Sequence, residues 1–212
     1  VLDSGYDGAR TLLAAAGVRF VGQRTVGSLA AAQAAADQIG YPVALKALGR
    51  LHKSDAGGVR LELADPDALA AAFTNMAESL EPEAYSVEAM APLTDGVELL
   101  IGSRWDARFG PVALVGLGGV YTEVLHDVVV ALGPVTISLA ERMLRSLRTF
   151  PLLDGVRGRP VLDAAAAAAA LASLSGLAAA HPEIAELEIN PLLVLPEGAL
   201  ALDARIVPAG TD

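Results

Sequence analysis

The order of apolar and polar positions at the start of the chain predicts helices that alternate with strands. Residues 8–16 and 28–38 are rich in alanine, and each run ends at a glycine, which is typical of helices with glycine caps. The apolar segments VRFV (18–21) and YPVALKAL (41–48) predict strands, and Lys46 lies towards the end of the second.

The next segments continue this alternation as far as residue 90. GVRLELAD (58–65) has the alternating pattern of a strand and ends at Asp65, a suitable helix cap. PDALAAAFTNMAESL (66–80) begins with proline, which is favoured at the first helical position, and predicts a helix. AYSVEAM (84–90) predicts a further strand. The first half of the chain therefore has the order strand, strand, helix, strand after its two N-terminal helices.

From Gly96 onwards, long apolar segments replace this alternation. Residues 97–105, 111–119 and 128–134 are joined by short turns rather than by helices, which favours an antiparallel sheet. The remaining predicted elements are a helix from Ser138, a loop at 151–160, an alanine-rich helix from Asp163, and strands at 186–195 and 199–207.

This order of elements predicts an α+β protein with two lobes that meet near residues 90–96. We divide the chain into an N-terminal helical segment (1–18), a first lobe (19–90) and a second lobe (91–212).

Composition and charge narrow the classes of partner. The chain is 53% hydrophobic but only 4% aromatic, so its core is built mainly from alanine, valine and leucine. A net charge of −10 argues against nucleic acid and anionic membranes as partners. The absence of cysteine excludes disulfides and thiolate chemistry and favours a cytoplasmic protein, as does an N-terminus without a signal-peptide pattern. The uncharged run 164–180 falls short of the roughly 20 strongly apolar residues that a membrane span needs.

The segment LKALGRLHKSDAGGV (45–59) contains both lysines of the chain, Lys46 and Lys53, with His52 between them. Positive side chains beside glycines suit phosphate binding, although the spacing is not that of a Walker loop. A neutral imidazole flanked by cations can accept a phosphoryl group. From spacing alone, the alternatives are a polar surface loop with strand-end lysines and, for His52, a solvated or hydrogen-bonded imidazole.

The segment VGLGGVYTEVLHD (115–127) has glycines arranged much as in a dinucleotide-binding loop. Such a loop opens a helix, whereas the residues that follow here predict strand and turn. Gly118 and Gly119 are therefore expected to permit a close backbone approach, either to a ligand or to a neighbouring strand. Glu123 and Asp127 either face a ligand or occupy turns.

The segment ELEINPLLVLPEGALALDAR (186–205) predicts a hairpin that carries Asn190 on one strand and Asp203 on the next. If the connecting loop has an even number of residues, the two side chains lie opposite each other on one face. An amide oxygen beside a carboxylate suits Mg²⁺, which takes few protein ligands and completes its shell with water and phosphate oxygens. The alternative is a surface asparagine and a solvated aspartate.

Six fragments that span residues 8–207 together resemble the ATP-grasp domain of NDP-forming acyl-CoA synthetases. These enzymes include the β-subunit type of ADP-forming acetate–CoA ligase and relatives of the succinyl-CoA synthetase β-subunit. The fragments are, in chain order, GYPVALKAL, LHKSDAGGVRLEL, EAMAPLTDGVELLIG, FGPVALVGLGGVYTEVLHD, LLDGVRGRP, and HPEIAELEINPLLVL with ALDAR. The resemblance implies an ATP-grasp fold in which a nucleotide cleft lies between two α+β lobes.

The resemblance also implies roles for residues in the nucleotide site. Lys46 resembles the lysine that contacts the nucleotide phosphates, and Lys53 is a second candidate for neutralising their charge. The segment from Glu88 to Met90 resembles the hinge whose backbone meets adenine, and Glu98 resembles a contact to ribose or metal. Gly118 and Gly119 belong to the same implied cofactor site.

The implied metal ligands are Asn190 and Asp203, for Mg²⁺ bound with ATP or ADP. In its HKSD context, His52 resembles the second phosphohistidine of archaeal-type ADP-forming enzymes. The segment between Lys46 and His52 is compact, so its loop geometry is expected to differ from that of longer relatives.

The implied function is that of an acid–thiol ligase component, which transfers a phosphoryl group between His52 and ADP or ATP. It is coupled to acyl-CoA formation or cleavage on a partner, so acyl-CoA is reached only indirectly. The chain contains no CoA-binding Rossmann unit and no partner phosphohistidine segment, so a CoA-binding domain or subunit is needed to complete the synthetase. The alternative is a regulatory, synthetase-like domain of a GNAT-type protein acetyltransferase.

Overall fold

A computed structural model describes residues 3–49, 57–119 and 125–210. The chain divides into two compact units, a first unit of residues 21–91 and a second unit of residues 1–20 with 92–212. The sequence-based division set residues 1–18 apart as a helical segment. In the structure these residues belong to the second unit, because the buried side chains of Ala9 and Leu13 are part of its core.

The helices and strands of the described residues are named in chain order. They are α1 (Tyr6–Ala15), β1 (Gln23–Val26), α2 (Leu29–Ile39), β2 (Val43–Leu48), β3 (Val59–Leu63), α3 (Pro66–Leu80), β4 (Ala84–Ala89), β5 (Val97–Asp106), β6 (Gly110–Leu117), β7 (Val128–Leu132), α4 (Ile137–Arg145), α5 (Ala164–Ala180), β8 (Ile184–Val194), β9 (Ala199–Ala201) and β10 (Ala204–Pro208). Short 3₁₀ turns lie at Leu93–Asp95, Phe150–Leu152 and Val156–Gly158.

The first unit is an antiparallel sheet in the order β1-β4-β2-β3, with α2 and α3 packed on one face. Val43 and Leu45 of β2 point into this core, so the alternation of the strand directs Ala44 and Lys46 to the opposite face. α3 has the predicted bounds because Asp65 accepts a hydrogen bond from the Ala68 N–H at 2.8 Å.

The strand predicted at 18–21 is wrong. Phe20 makes one isolated bridge to Ala201, and the first strand begins instead at Gln23. Val18 and Val21 are apolar because their side chains are buried, not because they form a strand. β1 has mostly polar residues because it is an edge strand of its sheet, so the apolar pattern does not reveal it.

The second unit contains an antiparallel sheet in the order β10-β8-β5-β6-β7, with β9 paired to β8. One face packs against the core that includes buried residues of α4 and α5, among them Met143, Leu171 and Leu174. We call the opposite face the outer face. The strand predicted at 199–207 is divided into β9 and β10, because Leu202 and Asp203 do not continue the strand.

The alanine-rich helix is confirmed as α5. In the described part of the chain, no helix is both long and apolar enough to cross a membrane. Leu125 is helical, which differs from the strand and turn predicted there, and residues 120–124 lie outside the described residues.

Candidate functional site

Lys46 forms a buried ion pair with Glu88 in the sheet of the first unit. Lys46 of β2 lies opposite Ser86 of β4, and Glu88 lies two residues further along β4 on the same face. The Lys46 Nζ is 2.9 Å from the Glu88 Oε2, and the Ser86 hydroxyl donates to the Glu88 Oε1 at 2.8 Å. All three side chains are buried. The lysine charge is therefore held in one position, on the face opposite α2 and α3, rather than moving freely in solvent.

The segment from Glu88 to Met90 lies at the C-terminal end of the first unit, whose last residue is Ala91. Glu88 lies within β4, and the Ala89 N–H donates to the Gly22 carbonyl at 2.9 Å. The Met90 sulfur accepts a hydrogen bond from the Glu62 N–H at 3.4 Å. These bonds attach the segment to the residue before β1 on one side and, past β2, to β3 on the other.

Asn190 and Asp203 lie directly opposite each other in the second unit. The β8–β9 pairs Leu192 with Ala201 and the β8–β10 pairs Ile189 with Ala204 have the same register, and the Asn190 N–H donates to the Asp203 carbonyl at 3.1 Å. Only residues 195–198 connect β8 to β9, so the loop has the even number of residues that the opposed arrangement requires. Both side chains belong to the outer face, and the Asp203 Oδ1 also accepts from the Ala204 N–H at 2.9 Å.

Glu188 is a further carboxylate beside this pair, and the sequence analysis did not identify it. It lies on the outer face of β8, opposite Arg205, and its side chain is hydrogen-bonded to that of Asn190. Burial, together with the nearby charge of Glu186, raises its pKa, while Arg205 and Asn190 act in the opposite direction. Arg205 in turn pairs with Glu186 at 2.8 Å. The spacing Glu-x-Asn in a predicted strand is the signal that places Glu188 and Asn190 on one face.

These side chains fit a magnesium ion by the chemistry of their donors. Asn190 and Asp203 offer hard oxygen atoms, and Mg²⁺ commonly takes only one or two protein carboxylates, completing its shell with water and phosphate oxygens. Within residues 3–49, 57–119 and 125–210, no group of three or more histidine, cysteine, aspartate or glutamate side chains is placed to hold a metal ion. A metal at the Asn190–Asp203 pair would therefore need further ligands from a bound phosphate or water.

Glu98, Gly118 and Gly119 come together where β6 ends beside β5. The Gly118 N–H donates to the Glu98 carbonyl at 2.8 Å, and a Cβ at Gly118 would lie 2.8 Å from the Leu99 carbonyl carbon. Gly119 has φ +67°, and a Cβ there would overlap the Glu98 Oε2. Burial raises the pKa of Glu98. Both glycines thus permit close approach to β5, and their contact with a nucleotide stays a prediction.

Asp127 is an anchor for a turn. Its carboxylate accepts hydrogen bonds from the Arg148 and Thr149 N–H groups, at 3.1 and 2.8 Å, and from the Thr149 hydroxyl at 2.5 Å. Burial opposes ionisation, but these hydrogen bonds outweigh it and lower the pKa of Asp127. Its oxygens are therefore engaged within the protein. His52, Lys53 and Glu123 lie outside the described residues.

The family of the chain follows from comparison with known proteins. The sequence model of a protein family described as "ATP-grasp domain" matches residues 6–207, which is nearly the whole chain. The chain belongs to the ATP-grasp family. This ATP-grasp domain is 33% identical, over 95% of its length, to the β subunit of ADP-forming acetate–CoA ligase II from Pyrococcus furiosus, and spans 90% of that subunit.

Longer relatives contain the same region as one part. The domain is 37% identical over 208 residues to the trans-feruloyl-CoA synthase FCS1 from an unknown prokaryotic organism, but it spans only 29% of that protein's length.

Solved structures confirm the ATP-grasp fold. The domain resembles the dinucleotide forming acetyl-coenzyme A synthetase 1 of Candidatus Korarchaeum cryptofilum in complex with coenzyme A and Ca-AMPCP. The TM-score is 0.89 at 32% identity, covering 96% of this chain and 92% of that one. A second complex of that synthetase holds Mg-AMPPCP, with its phosphohistidine segment pointing towards the nucleotide binding site. Its TM-score is 0.83 at 32% identity, covering 97% of this chain and 93% of that one.

The role of Asp127 predicts how stability changes with pH. A carboxyl whose pKa is lowered on folding stabilises the folded state above its ordinary pKa of 3.8, and this contribution is lost as the pH falls through the lower folded pKa. We expect Asp127→Asn to cost about 1–3 kcal/mol in the free energy of unfolding at pH 7, because the partly buried N–H groups of Arg148 and Thr149 lose a charged acceptor. The cost should shrink as the pH falls below about 4.

Urea unfolding at pH 7 and at pH 3 measures this difference. The matched control is Asp154→Asn, which changes an exposed aspartate of the same unit. An Asp127→Asn variant as stable as the wild type at pH 7 would contradict the anchoring role.

Proposed function

We propose that this ATP-grasp domain is the nucleotide-binding component of an NDP-forming acyl-CoA synthetase. It binds ATP or ADP with Mg²⁺ and exchanges a phosphoryl group between the nucleotide and a histidine. A CoA-binding domain or subunit carries out acyl-CoA formation or cleavage. The observation that carries the proposal is the placement of Asn190 directly opposite Asp203 on the outer face, in a chain of this family.

The residues of the chain have separate tasks in this reaction. Lys46 supplies a fixed positive charge for the nucleotide phosphates, and Glu88 keeps its ammonium group in place. Asn190 and Asp203 would hold Mg²⁺, which neutralises phosphate charge when it is bound. Glu98 is a candidate contact to ribose or metal.

His52 is the proposed phosphoryl carrier of the chain, on the basis of its HKSD context. In the direction of ATP formation, the bond between phosphorus and the imidazole nitrogen breaks and its electron pair stays on the nitrogen. A terminal phosphate oxygen of ADP forms the new bond to phosphorus. Lys53, the next residue, is proposed to offset the charge of the group in transit.

The relatives described above are synthetases and ligases, so they offer no support for the acetyltransferase alternative. The same comparison supports a partner subunit or domain for this chain, since one relative of nearly equal length is itself a β subunit. The cytoplasmic location stays a prediction.

Asp203→Asn tests the metal pair. We expect the Kd for Mg-ADP to rise at least tenfold, since even residues that only support metal ligands typically cost about 10–100-fold. The Kd for ADP measured in EDTA should change much less, because no metal is present to lose its ligand. Calorimetric titration with and without Mg²⁺ measures both, with Asp154→Asn as the matched control. Equal effects in the two conditions would exclude Asp203 as a ligand.

Lys46→Met tests the phosphate contact in the first unit. A hydrogen bond to a charged group contributes about 1.5–3 kcal/mol, so the Kd for ATP should rise by about 10–100-fold. Arg24→Met, which removes an exposed cation from the same sheet, should leave the Kd unchanged. Because the single variant leaves Glu88 buried without Lys46, the double variant Lys46→Met, Glu88→Leu serves as a folded control. Normal nucleotide affinity in the double variant would rule out the proposed contact.

His52→Ala tests the phosphoryl carrier. Incubation of the wild type with labelled ATP and Mg²⁺ should give label that is lost in acid and stable in base, the behaviour of a phosphohistidine. We expect no such label in His52→Ala and normal label in the control His181→Ala. Label that persists in His52→Ala, with and without the CoA-binding partner, would remove His52 from the mechanism.

A further inference from the structure

The outer face of the second unit changes from apolar to polar across the sheet. On β6 and β7 it carries an apolar stripe, which we define as Val112, Leu114, Val128, Val130 and Leu132. The three β7 side chains are 45%, 63% and 61% exposed in the whole chain. Further across, the same face carries Glu186, Glu188 and Asn190 of β8, Asp203 between β9 and β10, and Arg205 of β10.

A row of directly opposed residues runs from the apolar stripe to Glu188, beside the candidate metal pair. Val130 lies opposite Leu114, Leu114 opposite Gly102, and Gly102 opposite Glu188. Adjacent strands are about 4.8 Å apart, so Val130 lies about 14 Å from Glu188 along the sheet. Gly102 has no side chain to separate the two regions in this row, whereas in the next row the exposed Arg104 lies between Val112 and Glu186. The stripe is therefore continuous with the face that carries Asn190.

The stripe combines two features that folded proteins normally cover. β7 is an edge strand, and Val128, Val130 and Leu132 form a row of exposed apolar side chains along it. Residues 128–134 contain no charged side chain, in a chain whose net charge is −10. An uncharged stripe is suited to an apolar partner surface and avoids the repulsion that the remainder of this acidic chain would impose on an acidic partner.

We propose that the apolar stripe is the docking surface for the CoA-binding domain or subunit of the synthetase. The inference rests on the proposed function, because that partner must bring a phosphoryl group to this domain. A standard protein interface covers about 800 Å² on each partner, which corresponds to a patch of about 16 Å radius. A partner centred on Glu188 and Asn190 would therefore extend over Val130.

The lengths of the relatives indicate which part of the synthetase could cover the apolar stripe. The chain spans 90% of a β subunit but only 29% of the trans-feruloyl-CoA synthase, so in the longer relative most of the polypeptide lies outside this domain. In the Korarchaeum synthetase, a phosphohistidine segment points towards the nucleotide binding site. A partner that does the same here approaches the outer face beside the stripe.

The test uses the whole synthetase, assembled from this chain and its CoA-binding subunit, or expressed as one polypeptide where the two are fused. Val130→Asp places a charge in the centre of the stripe. Val161→Asp is the matched control, since Val161 is also 63% exposed in the second unit but lies outside the sheet. Val130→Thr keeps the β-branched shape of the strand and provides a milder variant. The two readouts are the Kd for Mg-ADP and the rate of ATP formation from acyl-CoA, phosphate and ADP.

We expect Val130→Asp to slow ATP formation at least tenfold while the Kd for Mg-ADP stays within twofold of the wild type. Val130→Thr should show a smaller loss in the same direction, and Val161→Asp should show none. In the two-subunit form, excess CoA-binding subunit should restore the rate of Val130→Asp. Such recovery is expected if the variant only weakens docking, because a higher subunit concentration restores the complex, and it is not expected if the variant damages catalysis.

Wild-type rates in Val130→Asp would overturn the docking proposal. Sedimentation of the chain alone tests a second copy as occupant, and self-association that Val130→Asp abolishes would also overturn it. Absence of Mg-ADP binding in the wild type would instead contradict the proposed function, so the two failures can be told apart.

Discussion

The register of β8 against β9 and β10 is the constraint on which the candidate site depends. The offset that pairs Leu192 with Ala201 also pairs Ile189 with Ala204, so the chain crosses from β9 to β10 without changing its alignment. Asp203 lies in the gap between β9 and β10, and a backbone hydrogen bond holds it opposite Asn190 of β8. A slip of one residue would exchange the faces of every side chain on the moving strand.

The core of the second unit resists such a slip. Leu187, Ile189 and Leu192 are fully buried on the inner face, and each contributes about 1.5–3 kcal/mol by leaving water. Their polar neighbours Glu186 and Glu188 therefore point outward at fixed positions. The apolar side of β8 thus places the oxygen donors of its polar side before any ligand binds, and this preorganisation lowers the cost of binding a metal.

Sequence periodicity predicted most of these elements but few of their contacts. The sequence predicted the hairpin of β8 and β9 but left the residue count of its loop open, whereas α3 follows from Asp65 and Pro66 at its start. The polar edge strand β1 escaped detection because hydrophobicity does not mark it. The anchoring role of Asp127 depends on Thr149, which is distant in sequence, and the surroundings of Glu188 depend on Arg205 of another strand. Pairings of this kind are decided by tertiary packing, so spacing along the chain does not reveal them.

The two units differ in the charge that they would present to a polyphosphate. In the first unit, Lys46 is already balanced by Glu88, so its proposed contribution to phosphate binding is hydrogen-bond donors and local direction more than net positive charge. In the second unit, Glu186, Glu188 and Asp203 share one face with Arg205. The three carboxylates outnumber this one cation, so the face would repel a nucleotide that arrived without a metal ion. A divalent ion reverses this repulsion, because the same carboxylates that oppose phosphate attract the metal. Binding of nucleotide and metal at this face is therefore expected to be mutually dependent, and that dependence follows from the acidity of the chain as much as from any single ligand.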